Sequence, residues 1–185
     1  ADAQLSRGYG RRPHRVLTPG VDVSHFRPDR AAGSEVRRRL GWDDVGQGPP
    51  VIGYLGRFVP EKGLDVLTGA LDAQSSPWRA LFVGTGPEEP ALRRWAQKYD
   101  GRAAVVTGVG HAEVPAYLNA MDVMAAPSQT TPFWREQFGR MLIEAFACGV
   151  PVVASDSGEI PHVVADAGRV VPEADRPAWA AALAG

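Results

Sequence analysis

Residues 50–73 read PVIGYLGRFVPEKGLDVLTGALDA: an apolar run, a loop with two glycines and two cations, then a helical repeat. Val51 to Leu55 is short and apolar, and Pro50 and Gly56 bound it, which marks a strand covered on both faces. From Gly63 to Ala73 the apolar residues Leu64, Leu67 and Leu71 recur at helical spacing. Strand, loop and helix in that order make the first part of a parallel crossover.

The same order repeats downstream. Strands are expected at Ala80 to Val83, Ala103 to Thr107, Asp122 to Ala126 and Val152 to Ala154. Helices are expected at Pro87 to Lys98, Glu113 to Ala120 and Gly139 to Cys148, the last ended by Gly149 and Pro151. The tail adds a strand from Val170 and an Ala-rich helix, Arg176 to Ala184. Upstream, residues 1–14 look like a linker, Arg15 to Thr18 like a short strand before the Pro19-Gly20 turn, and Ser34 to Leu40 like a short helix. The fold class that follows is α/β: a Rossmann-like parallel sheet with helices on both faces. Ligands of such sheets sit where strands end and helices begin.

A chain of 185 residues suits one well-cored domain, expected over residues 15–185. Its formal net charge of −1 gathers neither nucleic acid nor an anionic membrane, so a phosphate-bearing ligand needs a local cluster of donors. The single cysteine, Cys148, excludes an intramolecular disulfide, and its apolar neighbours predict a buried, inert thiol. No apolar run approaches the ~20 residues of a membrane span, and no signal-peptide core opens the chain. A soluble cytoplasmic protein is expected, with peripheral membrane contact through another segment left open.

Three strand-to-helix junctions carry the chemistry. In Gly56-Arg57-Phe58-Val59-Pro60-Glu61-Lys62-Gly63, a guanidinium fork and an ammonium point charge suit a diphosphate; two solvated surface cations are an equal alternative. In Val83-Gly84-Thr85-Gly86 two glycines resemble the start of a dinucleotide fingerprint, but Glu89 occupies the third glycine's place, and Glu88 and Glu89 would repel a pyrophosphate. A tight turn beside a ligand fits better than an NAD site. In Glu136-Gln137-Phe138-Gly139-Arg140-Met141-Leu142-Ile143-Glu144, Gly139 opens a helix whose first N–H groups can face an anion. Glu136 precedes that point, and Glu144 lies roughly 7 Å further along the axis at ~1.5 Å per residue. Carboxylates accept hydrogen bonds from hydroxyl pairs. Carboxylate, helix N-terminus, carboxylate therefore matches sugar, diphosphate, ribose.

These stretches, with Gly20-Val21-Asp22, Phe26-Arg27-Pro28, Tyr117 to Asp122, Ala126-Pro127-Ser128 and Cys148 to Ser155, resemble the C-terminal domain of GT-B retaining glycosyltransferases of family 4. Each is a loose motif; their order and spacing together are specific. The resemblance implies that Gly56, Arg57 and Lys62 hold the donor diphosphate. It implies that Phe138, Gly139 and Arg140 add backbone donors, that Glu144 binds the ribose, and that Val109 lies near the nucleobase. Glu136 would position the transferred sugar, with Arg57 and Lys62 completing the catalytic set.

By the same resemblance no metal and no cofactor is needed, because cations and a helix N-terminus neutralise the leaving diphosphate of a UDP- or GDP-linked hexose. The departing phosphate would assist the incoming hydroxyl on the same face. The implied partners are the nucleotide sugar, an unknown acceptor and an N-terminal acceptor-binding domain. The chain would then be a domain of a longer enzyme, holding donor weakly and transferring little by itself. Two positions depart from the family pattern: Glu159 stands where a glycine is usual, and His162 where a glutamate is frequent. Trp134 could close over a sugar or simply anchor its own loop. An epimerase or phosphorylase half and a non-catalytic binding module are the competing readings.

Overall fold

The computed structural model describes residues 19–42 and 47–184; the expected linker at 1–14 and strand at Arg15 to Thr18 lie outside the described residues. Six strands, β1 (Val51–Leu55), β2 (Arg79–Val83), β3 (Ala103–Val106), β4 (Val123–Ala126), β5 (Val152–Ser155) and β6 (Arg169–Val171), form one sheet in the order β3-β2-β1-β4-β5-β6. Every pairing is parallel. The helices are α1 (Arg30–Arg39), α2 (Leu64–Asp72), α3 (Glu89–Ala96), α4 (Val114–Leu118), α5 (Arg140–Ala147), α6 (Ile160–Val164) and α7 (Arg176–Ala184).

Because side chains alternate along a strand, the apolar strands feed two cores. Val51, Leu81, Val83, Met124 and Ala154 face one layer with Val36, Leu118, Leu142, Ile160 and Val164. Ile52, Tyr54, Phe82, Ala125 and Val153 face the other with Leu67, Leu92, Trp95 and Trp179. The chain winds outward from β1 to β3, crosses back, and winds the other way from β4 to β6. β1 and β4 are thus the adjacent strands at which the winding reverses, the place where ligands of such sheets bind.

The sequence places α1 too late. It begins at Arg30, where the Asp29 side chain accepts from the Ala32 N–H at 3.0 Å. Gly33 hides the helical pattern, yet it is where α1 lies against the Asn119 backbone: a Cβ there would stand 2.1 Å from the Asn119 carbonyl oxygen. Helix α6 is not anticipated, since five residues with Ile160 and Val164 as their buried pair give too short a period to read.

Several motif residues prove to hold the fold. Asp22 accepts from the Ser24 hydroxyl and N–H, turning the chain so that Phe26 is buried. Asn119 bonds the Asp29 N–H at 2.7 Å and the Arg27 carbonyl at 3.0 Å, tying α4 to the segment before α1. Asp122 accepts from the Val51 N–H at 2.7 Å and pairs with Arg37. Cys148 is buried, and burial pushes its thiol up to about 11. Iodoacetamide at pH 8 is therefore expected to leave the native thiol unmodified and to alkylate it fully in denaturant, as intact mass would read.

Candidate functional site

The β1–α2 and β4–α5 loops, at the reversal point, lie against each other. The Gln129 N–H donates to the Glu61 carbonyl at 2.9 Å, and a Cβ on Gly63 would stand 2.0 Å from the Pro127 carbonyl oxygen. This contact brings Lys62 from one loop to Glu136 from the other. The Lys62 ammonium donates to Glu136 Oε2, with the two side chains only 10% and 11% exposed. The Ser128 hydroxyl donates to the same oxygen at 3.2 Å, and the Ser155 hydroxyl fixes the Ser128 carbonyl at 2.5 Å. The Trp134 ring lies 4.7 Å from Lys62 Nζ, a cation–π contact on a third side.

Lys62 therefore reaches the carboxylate and is buried, whereas Arg57 on the same loop is 65% exposed and pairs with Glu61 at 3.6 Å. The alternative of two solvated surface cations fails for Lys62, which is buried where the 3₁₀ turn Pro60–Lys62 aims it at the neighbouring loop. Gly56 packs over the Tyr54 ring edge, and Tyr54 donates to the Arg57 carbonyl at 2.7 Å. Burial raises the Tyr54 phenol far above its ordinary range, with the Glu136 charge adding to it, so it stays protonated.

Gly139 caps α5 in the left-handed conformation, with φ 76° and no side-chain cap. The Leu142 N–H turns back to the Gly139 carbonyl at 2.9 Å, and the N–H groups ahead of it carry the positive end of the helix dipole. Phe138 and Arg140 flank this point. Glu144, one turn on, is 12% exposed and meets the exposed Arg140 guanidinium at 3.4 Å, the partner its near-burial requires. Val109 lies in the loop after β3, on the same sheet edge but two strands from β1, partly buried against the core.

At the β2–α3 junction, Gly84 has a structural reason: a Cβ there would stand 1.8 Å from the Gly56 carbonyl oxygen. The Phe58 N–H donates to the Thr85 carbonyl at 2.8 Å, and the Glu88 N–H to the Phe58 carbonyl at 3.0 Å. These glycines let one loop dock on another. Burial, with Asp65 and Glu61 nearby, raises the Glu88 carboxyl, and its Oε2 is buried without a hydrogen-bond partner among the described residues.

Glu159 and His162 pair with each other at 3.2 Å on an exposed surface, while the Glu159 N–H donates to the Glu136 carbonyl at 3.0 Å. Trp134 is held by its own turn, its N–H donating to the Thr131 hydroxyl at 3.0 Å, and it also covers Lys62. Sequence reasoning quotes Ser128 only as part of a motif and passes over Thr130 and Glu173, whose mutual contact joins residues 43 apart in the chain. Among the described residues no group of His, Cys, Asp and Glu is arranged to hold a metal ion, and no helix is long and apolar enough to cross a membrane.

A doubly wound parallel domain with a cation, paired carboxylates and an uncapped helix N-terminus at its reversal point defines a class of anion-binding α/β proteins. Within that class the family is settled by comparison: residues 49–185 match the family model of the glycosyl transferases group 1, and the chain belongs to that family. It is 40% identical over 157 residues to the GDP-mannose-dependent alpha-(1-6)-phosphatidylinositol monomannoside mannosyltransferase of Mycolicibacterium smegmatis, covering 81% of this chain and 40% of that protein. It is 37% identical over 176 residues to the D-inositol 3-phosphate glycosyltransferase of Segniliparus rotundus, covering 88% of this chain and 36% of that protein.

Among solved structures, Anabaena Alr3699/HepE in complex with UDP and glucose matches with a TM-score of 0.77 at 25% identity, over 92% of this chain and 46% of that one. The isolated C-terminal domain of the group 1 glycosyl transferase LpcC from Francisella tularensis shares the fold, with a TM-score of 0.68 at 23% identity over 89% of this chain and 86% of that one. The chain thus spans less than half the length of the curated relatives named here.

Proposed function

We propose that this chain is the donor-binding domain of a glycosyltransferase that transfers a hexose from a nucleoside-diphosphate sugar. The observation that carries the reading is the buried Lys62–Glu136 pair beside the uncapped start of α5, at the point where the sheet reverses. A diphosphate arriving there meets the α5 N–H groups and draws the Lys62 ammonium from Glu136. The freed carboxylate then accepts hydroxyl hydrogen bonds from the sugar, and Glu144 accepts them from the ribose. Arg57, exposed at the rim, folds over the phosphates, and the Val109 loop borders the base.

In the complete enzyme the bond from the sugar to the diphosphate breaks, and the bond to the acceptor hydroxyl forms on the same face. The hydroxyl proton passes to the departing phosphate, and cations and helix dipole hold the charge without a metal. GDP-mannose is the first donor to test, on the strength of the GDP-mannose-dependent relatives, with UDP-glucose beside it. The acceptor site and closure of the cleft belong to the rest of a longer protein.

The test is a chemical-shift titration of the 185-residue chain with GDP, UDP and their sugars. The Gly139, Arg140 and Lys62 amides are expected to move together at up to millimolar nucleotide; unchanged amides there would sink the reading. Arg57→Ala is expected to weaken nucleotide binding about tenfold, the loss of one charge-assisted phosphate contact. Because Arg57 is exposed, the variant's unfolding free energy in urea should stay within the ~0.5 kcal/mol of an ordinary surface change. Equal affinity in both proteins would remove Arg57 from the site.

A further inference from the structure

The loop that presents Glu136 is gripped at its start by a residue from the far end of the fold. Glu173, just past β6, accepts two hydrogen bonds from Thr130, one from its backbone N–H and one from its hydroxyl at 2.6 Å. The Thr130 hydroxyl proton is committed to that carboxylate, so the Ser157 hydroxyl, 3.0 Å away, must donate to Thr130 Oγ1. Glu173 is itself fixed, its N–H donating to Asp156 Oδ1 at 2.8 Å, while the Asp156 N–H donates to the Val171 carbonyl at 3.1 Å.

The next residue, Ala174, has φ 56°, a left-handed conformation that alanine resists. The turn that aims Glu173 is therefore held against its local preference. At the other end of the loop, the Glu136 carbonyl accepts from the Glu159 N–H at 3.0 Å. Between the two staples hang Trp134, over the Lys62 ammonium, and the Glu136 side chain.

We propose that Glu173 is a positioning residue that, by gripping Thr130, sets the loop carrying Trp134 and Glu136 and so determines how firmly the site holds the sugar of a nucleotide sugar. This rests on the reading of Glu136 as the sugar-facing carboxylate. Glu173 touches no ligand itself. The diphosphate contacts come from α5 and the β1–α2 loop, which Glu173 does not hold, so its loss should fall on the sugar end alone.

The experiment is a chemical-shift titration of the 185-residue chain and its variants with GDP, GDP-mannose, UDP and UDP-glucose. Glu173→Ala is expected to weaken the preferred sugar nucleotide at least fivefold, to change affinity for the free diphosphate less than twofold, and to shift the Trp134 indole signal before any ligand is added. Glu173→Gln, whose amide oxygen still accepts one Thr130 bond, should recover much of that loss. Thr130→Val keeps the backbone bond and should give the same split in milder form, which serves if the alanine variant folds poorly.

Equal weakening of diphosphate and sugar nucleotide would mean a merely structural role and would overturn the proposal, as would an unmoved indole with sugar affinity intact. A wild-type chain that gains nothing from the attached sugar also overturns it while leaving diphosphate binding standing. A wild-type chain that binds no nucleotide defeats the donor reading itself.

Discussion

Lys62→Met is expected to destabilise the chain by about 3 kcal/mol and to abolish measurable nucleotide binding. The carboxylate of Glu136 would remain at 11% exposure with, among the described residues, the Ser128 hydroxyl left to answer it. Removing one partner of a buried ion pair typically costs ~3–5 kcal/mol, because the other charge stays desolvated. Urea denaturation reads that loss directly, and it corresponds to a fall in melting temperature of roughly 10 °C for a chain of this size. Lys62→Met with Glu136→Gln should return to within about 1 kcal/mol of wild type, since a neutral pair of similar volume carries no stranded charge. Binding should not return with it. That separation is the point of the pair of variants: stability follows charge balance, and binding follows the ammonium. A single variant as stable as wild type would mean that Glu136 is satisfied without Lys62.

Gly158→Ala should also be damaging, at roughly 2–4 kcal/mol. Residue 158 has φ 58°, and a Cβ there would stand 2.0 Å from the Glu136 carbonyl oxygen and 3.0 Å from the Glu136 nitrogen. Backbone cannot swing aside as a long side chain can, so the methyl group must push the Glu136 segment off the turn before α6. Holding a left-handed alanine costs about 1–2 kcal/mol, and the overpacking adds about as much again. The same displacement pulls the carboxylate away from Lys62 and Ser128. Affinity for a nucleotide sugar is accordingly expected to fall more than tenfold, with a smaller loss for the free diphosphate. Gly20→Ala is the control: among the described residues a Cβ there meets nothing within 4 Å, and stability should move by less than ~0.5 kcal/mol. Similar effects from both variants would show that the crowding at residue 158 is not what holds the loop.

Most of the sheet is legible in the residues themselves. Val51 to Leu55 and the apolar runs after it alternate between two buried layers, and that pattern admits little but a covered parallel sheet. The elements that escape are those whose signal is not periodic. The first turn of α1 is masked by Gly33, which is there for a helix–backbone contact, and α6 is too short to display a repeat.

The site divides in the same way. Gly139 at the head of α5 and Glu144 within it are local features, since a glycine before an apolar helical run and a carboxylate inside that run are both visible in a window of ten residues. Arg57 and Lys62 look equivalent in such a window, yet one is exposed and the other buried. Glu136 and Lys62 are 74 residues apart, and nothing in either neighbourhood says that they touch. Glu173 and Thr130, 43 residues apart, are joined by no motif at all.

The Glu136 to Glu144 stretch thus determines from sequence alone that a helix N-terminus lies between two carboxylates, because helical rise and capping depend only on near neighbours. Which cation answers the first carboxylate, which tryptophan covers it and which glutamate steadies its loop are decided only in the tertiary structure. Those contacts arise because parallel winding brings the ends of β1, β4, β5 and β6 to one edge of the sheet, where side chains from four separate loops meet.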